Sequence, residues 1–483
     1  MQSHSYLLLL PLSAIAFWAE PYLAPSVQEI GDLSADVRAV DIEAHVRFLA
    51  SDELRGRETG SPEVVRAAHH LAKVFEAIGV EPAGDDGTYL QRVPIVRIEY
   101  ATAPHLTVTD SAGEAHELTS GVDFSAFTRG VPIDRESIEI RIVRKVDDLP
   151  DEPNAKLGIF IDAKSAEKRA WLAEKGLEES VGWGMVVQAS RNAGRAASRL
   201  PSPRLVVKNS ESESVPSVKL KGPWRDRLMA GELTTLDLSW GAEVTPVDDF
   251  NVVGKLSGKG SVDNPKLADE VVVISAHYDH IGVRSSTGSE PDADLICNGA
   301  DDDASGVAAV LEIAAALAKE GQPHRTAVFL LATGEEKGLL GTWHYIADPV
   351  GGLENTVANL NFEMIGRADP AAGGAGKLWL TGFERSNLGP ACVERGIEVI
   401  QDPHPKQSFF TRSDNYAFVQ RGIVGQTFST YNLHEDYHRP SDEADTLDFE
   451  HMAACVRAGL GAVRLCLDSS YTPTWNEGEP KLR

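Results

Sequence analysis

The chain has 483 residues, of which 72 are Asp or Glu and 46 are Lys or Arg, so its formal net charge is −26. At roughly 150 residues per domain, this length predicts two or three domains. With this acidic surplus, the chain has no basic excess to meet phosphates. The surplus therefore excludes nucleic acid as a partner and favours neutral or cationic substrates.

Residues 1–25 are predicted to be a signal peptide, because residues 6–19 form an apolar run that is too short to span a bilayer comfortably. No Lys or Arg precedes this run, and an uncleaved membrane anchor is the alternative. With the signal cleaved, we expect an exported protein, periplasmic or extracellular, without a stable membrane span. The four cysteines form no CxxC pair and are predicted to be small apolar core residues.

Residues 36–92 are predicted to be the first part of the main domain. Two amphipathic helices flank a polar turn, and the second helix, over residues 63–78, ends at Gly79, which is typical of a helix C-cap. Arg55 and Arg57 lie in the turn and could be functional. Such a loop is more often a structural clasp, and we predict that role.

The character of the chain changes over residues 93–247. Short strands are predicted at residues 103–108, 138–143 and 157–161, and a helix at residues 165–175. No cluster of His, Cys or paired carboxylates at ligand spacing stands out here. We therefore predict an inserted β-rich domain without chemistry of its own.

Residues 248–468 are predicted to be the main part of the large domain. Buried strands are predicted at residues 271–275, 326–331, 357–362, 378–381 and 423–428, and helices at residues 306–319 and 449–467. This alternation indicates an α/β fold with a mostly parallel central sheet flanked by helices. The polar residues 469–483 are predicted to be a loose C-terminal tail.

Acidic residues and histidines follow the predicted strands or begin a predicted helix, where open α/β sheets bind ligands. They are His277, Asp279, Asp301 to Asp303, Glu335, Glu336, Glu363, His434 and His438. Carboxylates at one sheet edge repel one another unless cations neutralise them. Zinc accepts His nitrogen and carboxylate oxygen, and two adjacent metals can share a carboxylate. The pattern predicts metal ligands, although capping of a helix start would explain one Asp.

Six segments carry recognisable motifs: ISAHYDHIG, NGADDDASGVAAVLEIA, GEEKGLLG, NFEMIGR, RSD and HEDYHRPSDEADT. They resemble motifs of the zinc aminopeptidase superfamily, which includes bacterial leucyl aminopeptidase, glutamate carboxypeptidase II and the transferrin receptor. The resemblance covers about residues 41–89 and 250–467. By position and pattern, residues 93–247 resemble a protease-associated domain.

The resemblance implies two zinc ions per chain. The implied ligands are His277 and Glu363 on one ion, Glu336 and His438 on the other, and Asp302 as the bridge between them. The superfamily also implies Glu335 as the general base and Asp279 as the residue that orients His277. A cis peptide between Asp302 and Asp303 is implied as well.

Two positions depart from the superfamily pattern. Glu363 stands where Asp is usual, and the extra methylene could change how its zinc sits or weaken its binding. Asn415 follows the RSD motif where His is frequent, so a substrate contact made by that His is in doubt.

The resemblance implies a zinc-dependent exopeptidase, in the first place an aminopeptidase that cleaves peptide or protein substrates with a metal-activated hydroxide. A carboxypeptidase is an alternative, as is a glutaminyl cyclase, which the altered Glu363 keeps open. A catalytically inactive, receptor-like binding protein is a third hypothesis, but it predicts missing ligands. The sequence leaves the oligomeric state and the preferred side chain open.

Overall fold

The computed structural model describes residues 36–127, 133–177, 182–190, 203–207, 215–285 and 293–480. The predicted signal peptide, residues 1–25, lies outside these ranges. Within them, no helix combines the length and the apolar character that crossing a membrane requires.

Helices and strands alternate along the described ranges. The α-helices are α1 (Ala39–Leu49), α2 (Pro62–Ile78), α3 (Ser165–Glu174), α4 (Gly222–Ala230), α5 (Gly306–Glu320), α6 (Leu340–Ala347), α7 (Leu388–Glu394), α8 (Asn415–Val419) and α9 (Phe449–Leu467). The strands of the first half are β1 (Glu81–Pro82), β2 (Leu90–Arg92), β3 (Ile95–Glu99), β4 (His105–Asp110), β5 (Ala115–Leu118), β6 (Phe124–Phe127), β7 (Ile133–Val143), β8 (Leu157–Ile161), β9 (Met185–Ser190) and β10 (Arg204–Val207). The later strands are β11 (Ser217–Lys221), β12 (Leu233–Trp240), β13 (Glu243–Val247), β14 (Phe250–Leu256), β15 (Val271–His277), β16 (Thr326–Ala332), β17 (Thr356–Phe362), β18 (Leu378–Leu380), β19 (Val399–Gln401) and β20 (Val424–Ser429).

A nine-stranded sheet forms the centre of the larger part of the molecule. Its order is β1-β14-β16-β15-β17-β20-β18-β19, and β2 also pairs with β14. The four central strands, β16, β15, β17 and β20, are parallel to one another, whereas β14 and β18 add antiparallel pairs at the two sides. The α/β fold class with helices on a central sheet is therefore confirmed.

The centre of this sheet is buried on both faces. Every residue of β15 is buried, which explains its continuous apolar sequence. The alanine-rich helix α5 packs against β15, and its residues from Gly306 to Leu317 are all buried. Full burial of a Val, Leu or Ile side chain contributes about 1.5–3 kcal/mol, so this layer makes a rigid support for the strand ends.

Helix α2 confirms the prediction made from its end signals. Ser61 accepts a hydrogen bond from the Val64 amide at 3.1 Å, and Pro62 stands in the first turn, where its missing N–H costs nothing. The helix ends at Gly79, whose φ of 86° lies in the left-handed region.

The segment between β2 and β14 builds separate sheets and a separate core. Strands β4 to β9, β11 and β12 form an eight-stranded sheet in the order β5-β4-β12-β7-β8-β9-β11-β6, while β10, β3 and β13 form a three-stranded one. Buried side chains such as Leu106, Phe124 and Leu236 pack together there. The predicted β-rich character is confirmed, and its boundaries at 93 and 247 stay a prediction.

The prediction of a loose tail over residues 469–483 is wrong for the first part of the tail. The buried Arg325 guanidinium donates to the carbonyl of Asp468 at 2.6 Å and to that of Tyr471 at 2.7 Å. The Trp475 indole N–H donates to the Gly422 carbonyl at 2.9 Å. A buried guanidinium needs several acceptors, and the tail's backbone supplies them. All four cysteines are buried and free, as predicted.

Candidate metal centre

The ends of three neighbouring strands bring the predicted ligands to one edge of the sheet. His277 is the last residue of β15 and pairs with Ala332, the last residue of β16. Glu336 lies four residues beyond Ala332, and Glu363 directly follows β17. Because β15, β16 and β17 are parallel, their carboxyl ends meet at this edge.

The first donor set consists of His277, Asp302 and Glu363, whose ligand atoms all lie within 4.8 Å of one another. His277 Nε2 is 3.4 Å from Asp302 Oδ1. His277 Nδ1 lies 3.1 Å from the backbone carbonyl of Asp279. An N–H at Nδ1 donates to that carbonyl, which leaves the Nε2 lone pair directed at the other donors.

The second donor set consists of His280, Asp302, Glu336 and His438. His438 Nε2 lies 3.1 Å from Asp302 Oδ2 and 3.1 Å from Glu336 Oε1. Asp302 belongs to both sets, with Oδ1 facing the first set and Oδ2 the second. The structure thus brings the five predicted ligands together, two on either side of Asp302.

His280 is the member of the second set that the sequence prediction missed. Its Nδ1 lies 2.9 Å from Glu336 Oε1 and 3.8 Å from Asp302 Oδ2. The available signal was a second His directly after Asp279, in the same motif as His277.

The three consecutive aspartates have different partners. Asp302 faces His277, His280 and His438, whereas Asp301 Oδ1 accepts a hydrogen bond from the Gly366 amide at 2.7 Å and its Oδ2 lies 3.0 Å from His434 Nε2, outside both donor sets. Asp303 Oδ1 accepts one from the Gly306 amide at 3.0 Å, at the start of α5. The capping alternative therefore explains Asp303 but not Asp302. The peptide between Asp302 and Asp303 is cis, as the resemblance implied.

Asp279 lies behind His277 and also holds the predicted base. Its Oδ1 is 3.6 Å from His277 Nδ1 and accepts a hydrogen bond from the Glu335 amide at 3.1 Å. Its Oδ2 accepts one from the Thr59 hydroxyl at 2.7 Å. The same carboxylate thus fixes the backbone at Glu335 and faces the ring of His277.

A second network, not found from the sequence, holds the backbone of the bridging residue. Asp442 Oδ2 accepts hydrogen bonds from the amides of Asp301, at 3.0 Å, and Asp302, at 3.2 Å. Arg367 Nη2 donates to Asp442 Oδ1 at 3.0 Å. Asp442 therefore positions the loop that carries Asp302.

Arg57 is the structural clasp that the turn predicted. Its guanidinium is 1 % exposed and donates to the carbonyls of Tyr278, at 2.8 Å, Asn298, at 2.7 Å, and Gly299, at 3.0 Å, and to that of Leu49. It therefore joins α1 to the loops that carry the donor residues. Burial lowers the pKa of Arg57 to about 10. Arg55, in contrast, is exposed.

The buried carboxylates of the two donor sets require positive charge. Burial alone would raise the pKa of Asp302, but hydrogen bonds from His277 and His438 outweigh it and hold that pKa well below its ordinary value. Burial alone would lower the pKa of His438, but Asp302 and Glu336 raise it to about 10. Bound metal cations would supply this positive charge and leave the histidines neutral.

Several donor atoms are buried without a hydrogen-bond partner, which also fits bound metal ions. Buried atoms without a hydrogen-bond partner in the described residues include His277 Nε2, His280 Nδ1, Asp302 Oδ2 and Glu336 Oε1. Unpartnered buried polar atoms are rare and need an explanation. Nitrogen and carboxylate oxygen atoms converging in this way match the ligand chemistry of zinc.

The predicted base has an altered acidity. Burial raises the pKa of Glu335 well above its ordinary value, and the neighbouring carboxylate of Glu363 raises it further, while His277 opposes the shift. A raised pKa brings a carboxylate toward neutral pH, where it can both accept and release a proton.

A cleft opens beside Glu363. Its walls include the aromatic residues Trp379, Phe409, Tyr431 and Tyr437. The rings of Trp379 and Phe409 stack with centroids 5.6 Å apart, and Phe409 meets Tyr431 edge-on, also at 5.6 Å. Such walls bury apolar surface next to the donor atoms.

Arg412 and Asn415 occupy different places near this cleft. Arg412 lies in its lining, with its guanidinium carbon 5.2 Å from the centroid of the Phe409 ring. Asn415 is fully buried, and its amide donates to the carbonyls of Phe410, at 3.1 Å, and Gly425, at 3.3 Å. Its Oδ1 accepts a hydrogen bond from the Thr427 hydroxyl at 2.9 Å, so the whole amide is bonded within the protein.

A further acidic cluster does not fit a cation. Asp110, Glu114 and His116 come close together in the eight-stranded sheet. Asp110 Oδ2 is 2.9 Å from His116 Nε2 and accepts a hydrogen bond from Arg227 at 2.7 Å. These two contacts, His116 first, hold the pKa of Asp110 below its usual range. The guanidinium of Arg227 already balances the negative charge of the Asp110 carboxylate, so we assign no metal there.

The fold and the site together define an α/β protein with two adjoining sets of side chains that could bind metal at the carboxyl ends of parallel strands. Residues 251–463 match the family model described as Peptidase family M28. The resemblance read from the motifs is thus confirmed.

Several known proteins are similar over parts of their length. A "Probable zinc metalloprotease" of Pyricularia oryzae is 37% identical over 128 residues, 26% of this chain and 23% of that protein. A "Probable leucine aminopeptidase" of Trichophyton verrucosum is 26% identical over 212 residues, 41% of this chain and 54% of that protein. The structure titled "Aminopeptidase from Aneurinibacillus sp. strain AM-1" is 21% identical, with a TM-score of 0.46 over 89% of this chain and 94% of that one. The chain spans 23% and 14% of the first two curated relatives it matches.

Proposed function

We propose that this protein is a zinc-dependent exopeptidase, and specifically an aminopeptidase, that holds two zinc ions. The observation that carries the proposal is the convergence of His277, Glu363, Glu336 and His438 around Asp302 within a chain segment that matches the model of Peptidase family M28. Names of similar proteins, a probable zinc metalloprotease and a probable leucine aminopeptidase, point the same way.

Each side chain of the site has a separate proposed role. His277, Asp302 and Glu363 would hold one ion, and Asp302, Glu336 and His438 the other. Bound zinc would supply a lower pKa for water and polarisation of the scissile carbonyl. Glu335 would accept a proton from the attacking water at its carboxylate and donate it to the leaving amine. Asp279 would keep His277 oriented and the Glu335 backbone in place.

Two features support an aminopeptidase. The concentration of carboxylates at the sheet edge would attract a substrate α-amine. The aromatic cleft beside Glu363 would take an apolar side chain next to the scissile bond, with the partly exposed Tyr431 and Tyr437 as the main contact surface.

The test is Glu335→Gln in the full chain. This variant should keep its zinc content and its unfolding transition but lose turnover about 10²–10⁴-fold, because only the proton transfer is removed. Glu354→Gln is the matched control, since Glu354 is exposed at the opposite end of β17 from Glu363. Full turnover in Glu335→Gln would refute the assignment of the base.

The choice among related activities needs a substrate panel. Aminoacyl anilides, peptides with blocked N-termini, and peptides with N-terminal Gln distinguish an aminopeptidase, a carboxypeptidase and a glutaminyl cyclase. We expect cleavage of the anilides, no cleavage of the peptides with blocked N-termini, and no pyroglutamyl product from the peptides with N-terminal Gln. A receptor-like binding protein would cleave none of them, although all five ligand positions of this chain carry side chains that can bind zinc.

We also propose that the protein is exported and that residues 93–247 are an inserted protease-associated-like domain that shapes entry to the cleft. Fusion of residues 1–25 to a reporter enzyme that is active only after export tests the first proposal, and a reporter that stays inactive would refute it. Replacement of residues 93–247 by a short linker tests the second: turnover of long peptides should change more than that of aminoacyl anilides.

A further inference from the structure

We propose that His280 is a fourth protein ligand of the cation position formed by Asp302, Glu336 and His438. This position would then be surrounded by protein donors, whereas the position at His277 and Glu363 would keep open coordination sites. The inference rests on the proposed zinc binding and adds that the two positions differ in their number of protein ligands and in their zinc affinity.

The separations of the four donor atoms suit a single zinc ion. Zinc bonds to nitrogen and oxygen of about 2.0–2.2 Å place tetrahedral ligand atoms about 3.3–3.6 Å apart. The distances in the second set surround this value: 2.9 Å from His280 Nδ1 to Glu336 Oε1, 3.8 Å from His280 Nδ1 to Asp302 Oδ2, and 3.1 Å from His438 Nε2 to each of the two carboxylates.

The burial of His280 points to the same role. Its side chain is fully buried, and its ring nitrogens have no hydrogen-bond partner within the described ranges. A buried imidazole of this kind is destabilising unless something binds it. A cation at Nδ1, between Glu336 and Asp302, would bind it.

The surrounding backbone is built to admit this ring. Gly299 has a φ of 58°, and a Cβ added there would lie 2.7 Å from both Cγ and Cδ2 of His280 and 2.3 Å from the Asp302 carbonyl oxygen. The His280 amide donates to the Arg57 carbonyl at 3.1 Å. A side chain at position 299 would push the imidazole away from the donor set.

The consequence is a difference between the two cation positions. The position with His280 has two imidazoles and two carboxylates, a complete tetrahedral set, while the other has one imidazole and two carboxylates. Zinc sites with four protein ligands are closed, and those with three leave a place for water or substrate. We therefore expect the His280 position to bind first and more tightly.

The experiment is a zinc titration of the metal-free full chain against a chromophoric chelator. The wild type should bind two zinc ions in two affinity classes. His280→Ala should weaken the tighter class at least tenfold and leave the other class unchanged. His69→Ala is the matched control, because His69 is exposed on α2 and belongs to neither donor set. Equal affinities in His280→Ala and wild type would overturn the inference.

A measurement on the unmodified chain covers the case in which His280→Ala does not fold. X-ray absorption of the wild type loaded with one equivalent of zinc should show two imidazoles bound to the metal, from His280 and His438. A single imidazole would overturn the inference. Failure of the wild type to bind zinc at all would instead refute the proposed function, so the two failures are distinguishable.

Discussion

Replacing Arg57 by methionine should destabilise the fold strongly, although Arg57 touches none of the donor atoms. The guanidinium donates to four backbone carbonyls, three of which, those of Tyr278, Asn298 and Gly299, belong to the loops that carry the zinc donors. Methionine keeps the volume and removes every donor. Hydrogen bonds from a charged group contribute about 1.5–3 kcal/mol each, so four of them set an upper bound of about 6–12 kcal/mol.

The net effect should be smaller than this bound, because methionine also removes a cation that burial disfavours. The low pKa of Arg57, about 10, reflects that burial. Loss of one side of a buried charged contact costs about 3–5 kcal/mol, and we expect a decrease of that size in the free energy of unfolding. A typical protein has only about 5–15 kcal/mol in total, so the variant should unfold at clearly lower denaturant concentrations.

The assay is urea unfolding followed by tryptophan fluorescence, with Arg55→Met as the control. Arg55 is exposed in the same turn, so its replacement should change the unfolding free energy by no more than about 0.5 kcal/mol. Zinc affinity should fall in Arg57→Met and not in Arg55→Met. The reasoning is refuted if both variants unfold at the wild-type midpoint.

Three other predictions concern acid stability, backbone space and metal removal. Burial lowers the pKa of His70 to about 3, below the value near 6.5 in the unfolded chain. As the pH falls from 6.5 toward 3, this histidine is protonated in the unfolded chain but not in the folded one, so the free energy of unfolding decreases. Between pH 7 and pH 5 the wild type should therefore lose about 2 kcal/mol more unfolding free energy than His70→Leu, and equal losses in urea titrations would contradict this. Gly299→Ala should abolish tight zinc binding, whereas Gly79→Ala, also at positive φ but facing open space, should cost only about 1 kcal/mol of stability and leave zinc binding unchanged in the same titration. Chelation of zinc should lower the melting temperature, and calorimetry that finds no change on removing and restoring zinc would argue against bound metal in the folded state.

The sheet and its strand ends could be predicted because buried parallel strands have a strong local signal. The run at residues 271–275 is apolar and β-branched, and the strand is Val271–His277. The closing helix was predicted over residues 449–467, and the structure has Phe449–Leu467. Polar side chains at the ends of such strands, or directly after them, lie at the common edge of the sheet, so the positions of His277 and Glu363 could be predicted from the sequence.

The parts that escaped prediction depend on contacts between distant loops. Asp442 holds the backbone of Asp301 and Asp302, from which it is separated by about 140 residues. His280 reaches the donor set only because Gly299 leaves room for its ring. Hydrophobic periodicity and residue spacing in the sequence do not predict contacts of this kind.

The C-terminal tail is a second case in which a contact with a distant residue decides the structure. Its composition is polar and rich in turns, which predicts a loose segment. The buried guanidinium of Arg325 changes the outcome, since it takes the carbonyls of Asp468 and Tyr471 as acceptors. A single buried charge elsewhere in the chain thus fixes a segment whose own sequence has no strong preference.

The central claim is that Asp302 holds two zinc ions between His277, Glu363, Glu336 and His438. The most direct test is zinc content per chain, by elemental analysis of dialysed protein, for the wild type, Asp302→Ala and His277→Ala, run beside an aminopeptidase assay with and without chelator. The account predicts two ions in the wild type, one in His277→Ala and at most one retained in Asp302→Ala. Two ions retained in Asp302→Ala, or none in the wild type, would contradict it.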